Sequence, residues 1–257
     1  MLILGIPGAA SSATADLAAS MACEIAALAT AGDEGLEVRS GHVDGPPEES
    51  LDRALAGLPE NPHPETPSGV LVPLLAAPHP HVEDALHHAA STAGVSLCVS
   101  GPLGPHPLIA GVLHTRLADS GLARPDRARE LNVTTEADGV VVAASGSTGM
   151  QAAEVTSVLL ASRLAVPAVP AALDGETGID DAAARLREAG ATQLSLAPCF
   201  IGPEADARRL DEAARSIGGR RSAPLGAHPD IAKLAMQCYG AALDESVAGA
   251  ETAVPRQ

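Results

Sequence analysis

The chain has 257 residues, 46% of them apolar, yet it carries one Tyr, one Phe and no Trp. That length allows one large domain or two of ordinary size with proper cores, built here from Ala, Val, Leu and Ile. A formal net charge of −16 excludes nucleic acid and anionic membrane surfaces as partners, because both select basic patches.

Short apolar runs ending in Gly or Pro alternate with stretches of helical periodicity. In the first half the pattern predicts strands at 2–6, 36–40, 69–75 and 95–99, and helices at 12–31, 48–57, 82–93 and 107–120. In the second half it predicts strands at 139–144, 167–172, 193–198 and, weakly, 220–223, with helices at 150–164, 179–189, 204–216 and 228–243. Residues 118–138, rich in Asp, Arg and Glu, read as a linker, and 247–257 as a frayed tail.

The two halves repeat each other. "GPLGPHPLIAGVLHTRL" at 101–117 returns as "APLGAHPDIAKLAMQCY" at 223–239, both fitting P-L-G-x-H-P-x-I-A. "GVLVPLLAAPHP" (69–80) is echoed by "QLSLAPCFIGPE" (193–204), and "LILGIPGAAS" (2–11) by "VVVAASGSTG" (140–149). Three matches in one order mark a duplicated domain. Alternating βα units imply parallel sheets with helices on both faces. The expected fold is therefore α/β, with two tandem domains at 1–122 and 139–246, each a doubly wound four-stranded parallel sheet. In such sheets ligands sit at the carboxyl ends of the strands, and a duplicated domain offers a cleft between two such edges.

Four cysteines, Cys23, Cys98, Cys199 and Cys238, form no CxxC pair. They read as reduced, mostly buried thiols of a cytosolic protein. No Lys or Arg precedes the apolar N-terminus, Asp16 and Glu24 interrupt the next stretch, and no run of eighteen apolar residues occurs. The expectation is a soluble, cytoplasmic protein without signal peptide or membrane span.

The segment "APHPHVEDALHH" (77–88) packs four of the nine histidines into ten positions. His88 lies about 10 Å along a helix from His81, at 1.5 Å per residue, so the two cannot share a metal. His87 and His88 read as solvated partners of Glu83 and Asp84 at i,i+4. His81, and next to it His79, are the functional candidates. His106 and His228 occupy equivalent H-P turns and read as structural, bonding local backbone. His114 reads as a helix-face residue and His63 as part of an exposed proline-rich loop. The glycine strings "GIPGAASS" and "SGSTG" lack the marks of a P-loop or dinucleotide fingerprint. Each can still offer backbone N–H groups at a helix start, through Gly8, Ala9 and Ser11 or through Ser145, Gly146 and Ser147, to an anionic ligand.

Through "GPLGPHPL", "GAHPDI", "VPLLAAPHPHVEDAL" and "APCFIGP", with helix starts after "LILG" and "VVVAASGS", the chain from residue 2 to about 245 resembles the class II chelatases. The likeness is to their long two-domain CbiX and SirB-type sirohydrochlorin chelatases. The resemblance implies insertion of Fe(II) or Co(II) into sirohydrochlorin, on the way to siroheme or cobalamin. That is a lyase-type metallation in the interdomain cleft, with the divalent metal and a tetrapyrrole as substrates and no organic cofactor. Metallation removes two pyrrole protons while a cation sheds water, so imidazoles near neutrality and a carboxylate suit it. The family places one His in a G-H-G-S loop after the first strand, one in a G-x-H-V loop after the third, and a carboxylate after the second. His81 takes the second histidine position as base and ligand, and Asp44 the carboxylate position, where the family has Glu more often.

The first position departs from the pattern: Ile6 stands where the histidine belongs, Pro7 where its glycine belongs, and Ser145 replaces the histidine of the second half. His79 and His42 are then the candidate metal ligands beside His81, each two residues from its neighbour and so on one side of an extended segment. A monomer is expected, since the duplication supplies both halves of the cleft. The alternative is a catalytically degenerate member that binds a metal ion or tetrapyrrole without metallating it.

Overall fold

The computed structural model describes residues 1–28, 35–45, 50–59, 66–124, 137–174, 178–202 and 204–253. The first sheet comprises β1 (Leu2–Ala9), β2 (Val38–Asp44), β3 (Gly69–Pro73) and β4 (Leu97–Val99); the second comprises β5 (Gly139–Ala144), β6 (Ala168–Ala172), β7 (Leu194–Pro198) and β8 (Arg220–Arg221). Every pairing is parallel, in the order β2-β1-β3-β4 and then β6-β5-β7-β8. The inner strands β3, β5 and β7 are buried along their whole length, which is why "GVLVP", "GVVVAA" and "LSLAP" read as continuous apolar runs and not as alternating ones.

The helices are α1 (Ser12–Leu28), α2 (Leu51–Leu55), α3 (Pro80–Thr92), α4 (Pro107–Asp119), α5 (Gly146–Leu164), α6 (Ile179–Glu188), α7 (Ala207–Ser216) and α8 (Pro229–Ala253). On one face of the first sheet Ile3 and Leu71 pack with Leu51 and Leu55 of α2 and Val82 and Leu86 of α3. The second sheet repeats this, Val141 and Leu196 packing with Ala183 and Leu186 of α6 and Leu210 and Ala214 of α7. Two α/β repeats with four-stranded parallel sheets are thus present, as the alternation indicated. No described helix is long and apolar enough to cross a membrane.

The compact units do not follow chain order. One unit holds Met1–Leu75, Pro80–Leu103 and the chain from Ala232; the other holds Ala76–His79 and Gly104–Ile231. Helix α4, placed by the repeat in a first domain ending at 122, lies in the second unit, where it packs on α5. Its Arg116 fastens it there, Nε and Nη2 donating to Leu225 O at 3.0 and 2.7 Å. Of the linker expected at 118–138, residues 118–124 belong to the end of α4 and its turn, and 125–136 lie outside the described residues, as does His63. Helix α8 continues to Ala253, so the first seven residues of the expected frayed tail are helical.

Other boundaries shift for local reasons. Helix α5 starts at Gly146 and not at 150, so "SGSTG" supplies its N-cap position and first turn. First-turn N–H groups have no intrahelical partner to lose, so poor helix formers cost little there. Strand β1 runs three residues past the expected end, with a bulge between Ile6 and Ala9. Gly8, at φ +83° with open space where a Cβ would stand, supplies the left-handed conformation this needs, and its repeat counterpart Gly146 is also left-handed, at +65°, where α5 begins.

The H-P turns are structural, as expected. His106 Nδ1 accepts from Leu108 N, and His228 Nδ1 from Asp230 N, both at 3.1 Å. His114, read as a helix-face residue, stands on a covered face of α4: it is 4% exposed, and its Nε2–H donates to Arg124 O at 2.6 Å. The thiols are free, but Cys199 alone is buried; Cys23 is exposed and Cys98 and Cys238 are partly so.

Gly41 of β2 sets how closely α2 can approach: a Cβ there would stand 2.6 Å from Leu51 Cα and 3.0 Å from Ala54 Cβ. A backbone atom cannot swing aside as a side-chain tip can. Gly41→Ala is therefore expected to cost about 2 kcal/mol, and a urea midpoint unchanged from wild type would show that α2 gives way freely.

Candidate functional site

The first unit brings together the ends of β2 and β3. The bulge in β1 sets Ala9 opposite Asp44, the last residue of β2. After β3 the chain turns into α3, whose first turn carries His81. The helix is seated by Leu86, which rests where a Cβ on Gly5 would stand, 2.6 Å away. The imidazole Nε2 and Asp44 Oδ1 are 3.3 Å apart, with both side chains largely exposed. That is long for an N–H···O bond to a carboxylate, which prefers about 2.7–2.9 Å. It suits two ligands of one cation: atoms each about 2.1 Å from a metal and 3.3 Å from each other subtend about 104° there. The angle lies between octahedral and tetrahedral values.

The other expected residues are placed separately. His42, two residues before Asp44, lies opposite Ile6 and lines a groove of about 750 Å³ with Ser40 and the Ala15, Ala18 and Ala22 face of α1. His79 is partly buried and sits on the Ala76–His79 segment of the second unit, which Thr148 Oγ1 holds by donating to Pro78 O at 3.1 Å. Among the described residues no three His, Cys, Asp or Glu side chains converge as metal ligands, so Asp44 and His81 form a pair and not a closed cage. His87 and His88 are exposed on α3.

The glycine strings are only partly available to a ligand. Gly8 and Ala9 belong to the end of β1. Ser11 is engaged with Thr14: the Ser11 amide donates to Thr14 Oγ1 at 2.8 Å and the Thr14 amide to Ser11 Oγ at 3.2 Å, a reciprocal cap. In α5, Gly146 and Ser147 are exposed in the first turn. Ser145 occupies the N-cap position, but its hydroxyl donates to Asp174 Oδ2 at 2.5 Å instead of capping the helix.

Three residues of the second unit escaped the sequence reading. Asp174 follows β6 and is also bound by Arg209 of α7, Nη1 to Oδ1 at 2.5 Å. The signal was present in the repeat: Val38 lies opposite Leu2 and Ala168 opposite Val140, so Asp44 and Asp174 stand equally far along their strands. Glu204, after β7, turns its carboxylate back onto its own loop, accepting from Gly202 N at 2.8 Å and Ile201 N at 3.3 Å. Burial pushes it up to about 7 despite those donors. Burial, and then Glu204, push the Cys199 thiol up to about 12, leaving it an unreactive packed group.

No protein-family model and no curated protein matches the chain. Solved structures do. SirB from Bacillus subtilis with Fe3+ superposes with a TM-score of 0.66 at 14% identity, covering 98% of this chain and 97% of that one. The sirohydrochlorin chelatase SirB from Bacillus subtilis subspecies spizizenii, in complex with cobalt, gives 0.63 at 13% identity over 98% and 97%. A multi-domain Deinococcus radiodurans protein with structural similarity to chelatases gives 0.61 at 16% identity over 98% of this chain and 59% of that one. At these identities the likeness establishes the fold: tandem α/β repeats of chelatase-like form.

Proposed function

We propose that the chain inserts Fe(II) or Co(II) into sirohydrochlorin, with Asp44 and His81 as its working pair. The separation of 3.3 Å between Asp44 Oδ1 and His81 Nε2 carries this reading, because it leaves room for a cation held by both. The chelatase-like fold supports it, as do the iron and cobalt of the matching structures. A divalent ion entering the pair takes the lone pair of the His81 imidazole, and the Asp44 carboxylate offsets one of its charges. On transfer the ring exchanges two N–H protons for the ion. His81, released by the metal, accepts one of them, and the other leaves through Asp44 or water. Metal choice is not set by this donor pair, since imidazole and carboxylate accept several divalent ions.

A second reading, a binder of metal or tetrapyrrole without metallation, draws support from the convergence of only two groups among the described residues. One anaerobic experiment separates them: purified protein, sirohydrochlorin, and Fe(II) or Co(II) separately, following the Soret and visible bands. Metallation faster than the protein-free control supports the enzyme. A spectral shift on mixing protein with ligand, and no acceleration with either metal, supports the binder.

A further inference from the structure

The two units carry the same device with different cations. In each, an aspartate at the end of the second strand or two residues past it is met by a basic residue in the first turn of the helix after the third strand. In the first unit the pair is Asp44 with His81; in the second it is Asp174 with Arg209. The difference is chemical. An imidazole can lose its proton and become a ligand, whereas a guanidinium stays charged and has no lone pair to give. The second pair is also closed. Arg209 Nη1 meets Asp174 Oδ1 and Ser145 Oγ meets Oδ2, both at 2.5 Å, while Arg209 Nη2 donates to Leu173 O at 2.8 Å. No gap like the 3.3 Å of the first pair remains. Half-exposed ion pairs add little to stability, so this one is better accounted for by the charge it places there than by the fold it supports.

We infer that Arg209 is a built-in cation occupying, in the second unit, the seat that the first unit leaves open to a divalent metal, and that it restricts metal binding to the first. The inference rests on the reading of Asp44 and His81 as a cation seat. Removing the Arg209 side chain frees Oδ1 of Asp174, leaves Ser145 on Oδ2, and takes away a competing charge at close range, which raises the apparent affinity there for a divalent ion by at least about tenfold.

The test is paramagnetic broadening of backbone amide NMR signals by Co(II) in the full chain, which registers weak sites. In wild type, Co(II) is expected to broaden signals around Asp44 and His81 and leave those of Ser145, Leu173 and Asp174 sharp. Arg209→Ala is expected to broaden the second set as well, Arg209→Lys to stay as wild type, and Asp174→Asn with Arg209→Ala to sharpen it again. Broadening at Asp174 already in wild type, or none in a folded Arg209→Ala, overturns the inference. Broadening at Asp174 on removing Arg209, with none at Asp44 in any variant, upholds the role of Arg209 and rejects the metal seat at Asp44 and His81.

Discussion

His81→Ala is expected to slow sirohydrochlorin metallation by about a hundredfold, the lower end of what a positioned general base contributes. The side chain is 68% exposed, so its removal should leave stability within about 0.5 kcal/mol of wild type, and lost rate cannot be ascribed to unfolding. His87→Ala, on the solvated side of the same helix, is the matched control and should keep the wild-type rate. Asp44→Asn should fall with His81→Ala, and the double variant should lose no more than the worse single one, because residues acting as one unit are not additive. Initial rates from the Soret shift at saturating metal measure all four. A His81→Ala protein that keeps more than about half its rate would remove the imidazole from the mechanism and, with it, the reason for the resemblance at "APHPHV".

The strands and the repeat were legible because both are local. A fully buried parallel strand must be apolar throughout, and a duplicated fold must reuse its turns, so "LILG", "VVVAA" and the two P-L-G-x-H-P copies were informative by themselves. Which sheet a helix covers is not local. Arg116 on α4 reaches Leu225, more than a hundred residues on, and nothing in "GVLHTRL" announces that partner. The burial of His114 is not local either: Ile109, Ala110, Val112, Leu113 and Leu117 of α4 are all buried, and a helix covered over so wide an arc has too little exposed face to hold it.

For the site, the resemblance supplied Asp44 and His81, and the structure sets them together. Asp174 could have been found by carrying the strand register across the repeat, but its partner Arg209 could not, since a guanidinium on a long side chain reaches back from a position that the His81 spacing does not specify. Glu204 was invisible for another reason. In "APCFIGPEA" it looks like an ordinary acidic residue before a helix, and only the folding back of the loop encloses its carboxylate.

That enclosure has a measurable consequence. The Glu204 carboxyl is pushed from an ordinary 4.5 to about 7 in the folded chain, so between those values the native state holds a proton that the unfolded state has released. Stability from this group is therefore fully present below about pH 4.5, declines as pH rises, and is gone above about 7. The shift caps the change at about 3 kcal/mol. The two backbone amides that meet the carboxylate already act in the opposite sense and are included in that net direction. Asp138 runs the other way: amides of Thr192 and Gln193 hold its carboxyl below the usual range, so its contribution is lost only in stronger acid. The informative quantity is thus the difference between wild type and Glu204→Gln, whose amide does not titrate. Urea unfolding at intervals from pH 5 to 8 should show wild type losing stability relative to the variant as pH rises, most steeply midway between the two values, near pH 5 to 6.5, and levelling off above 7. Parallel curves across that range would mean that the loop opens to let water reach the carboxylate, and that Glu204 ionises like any surface acid.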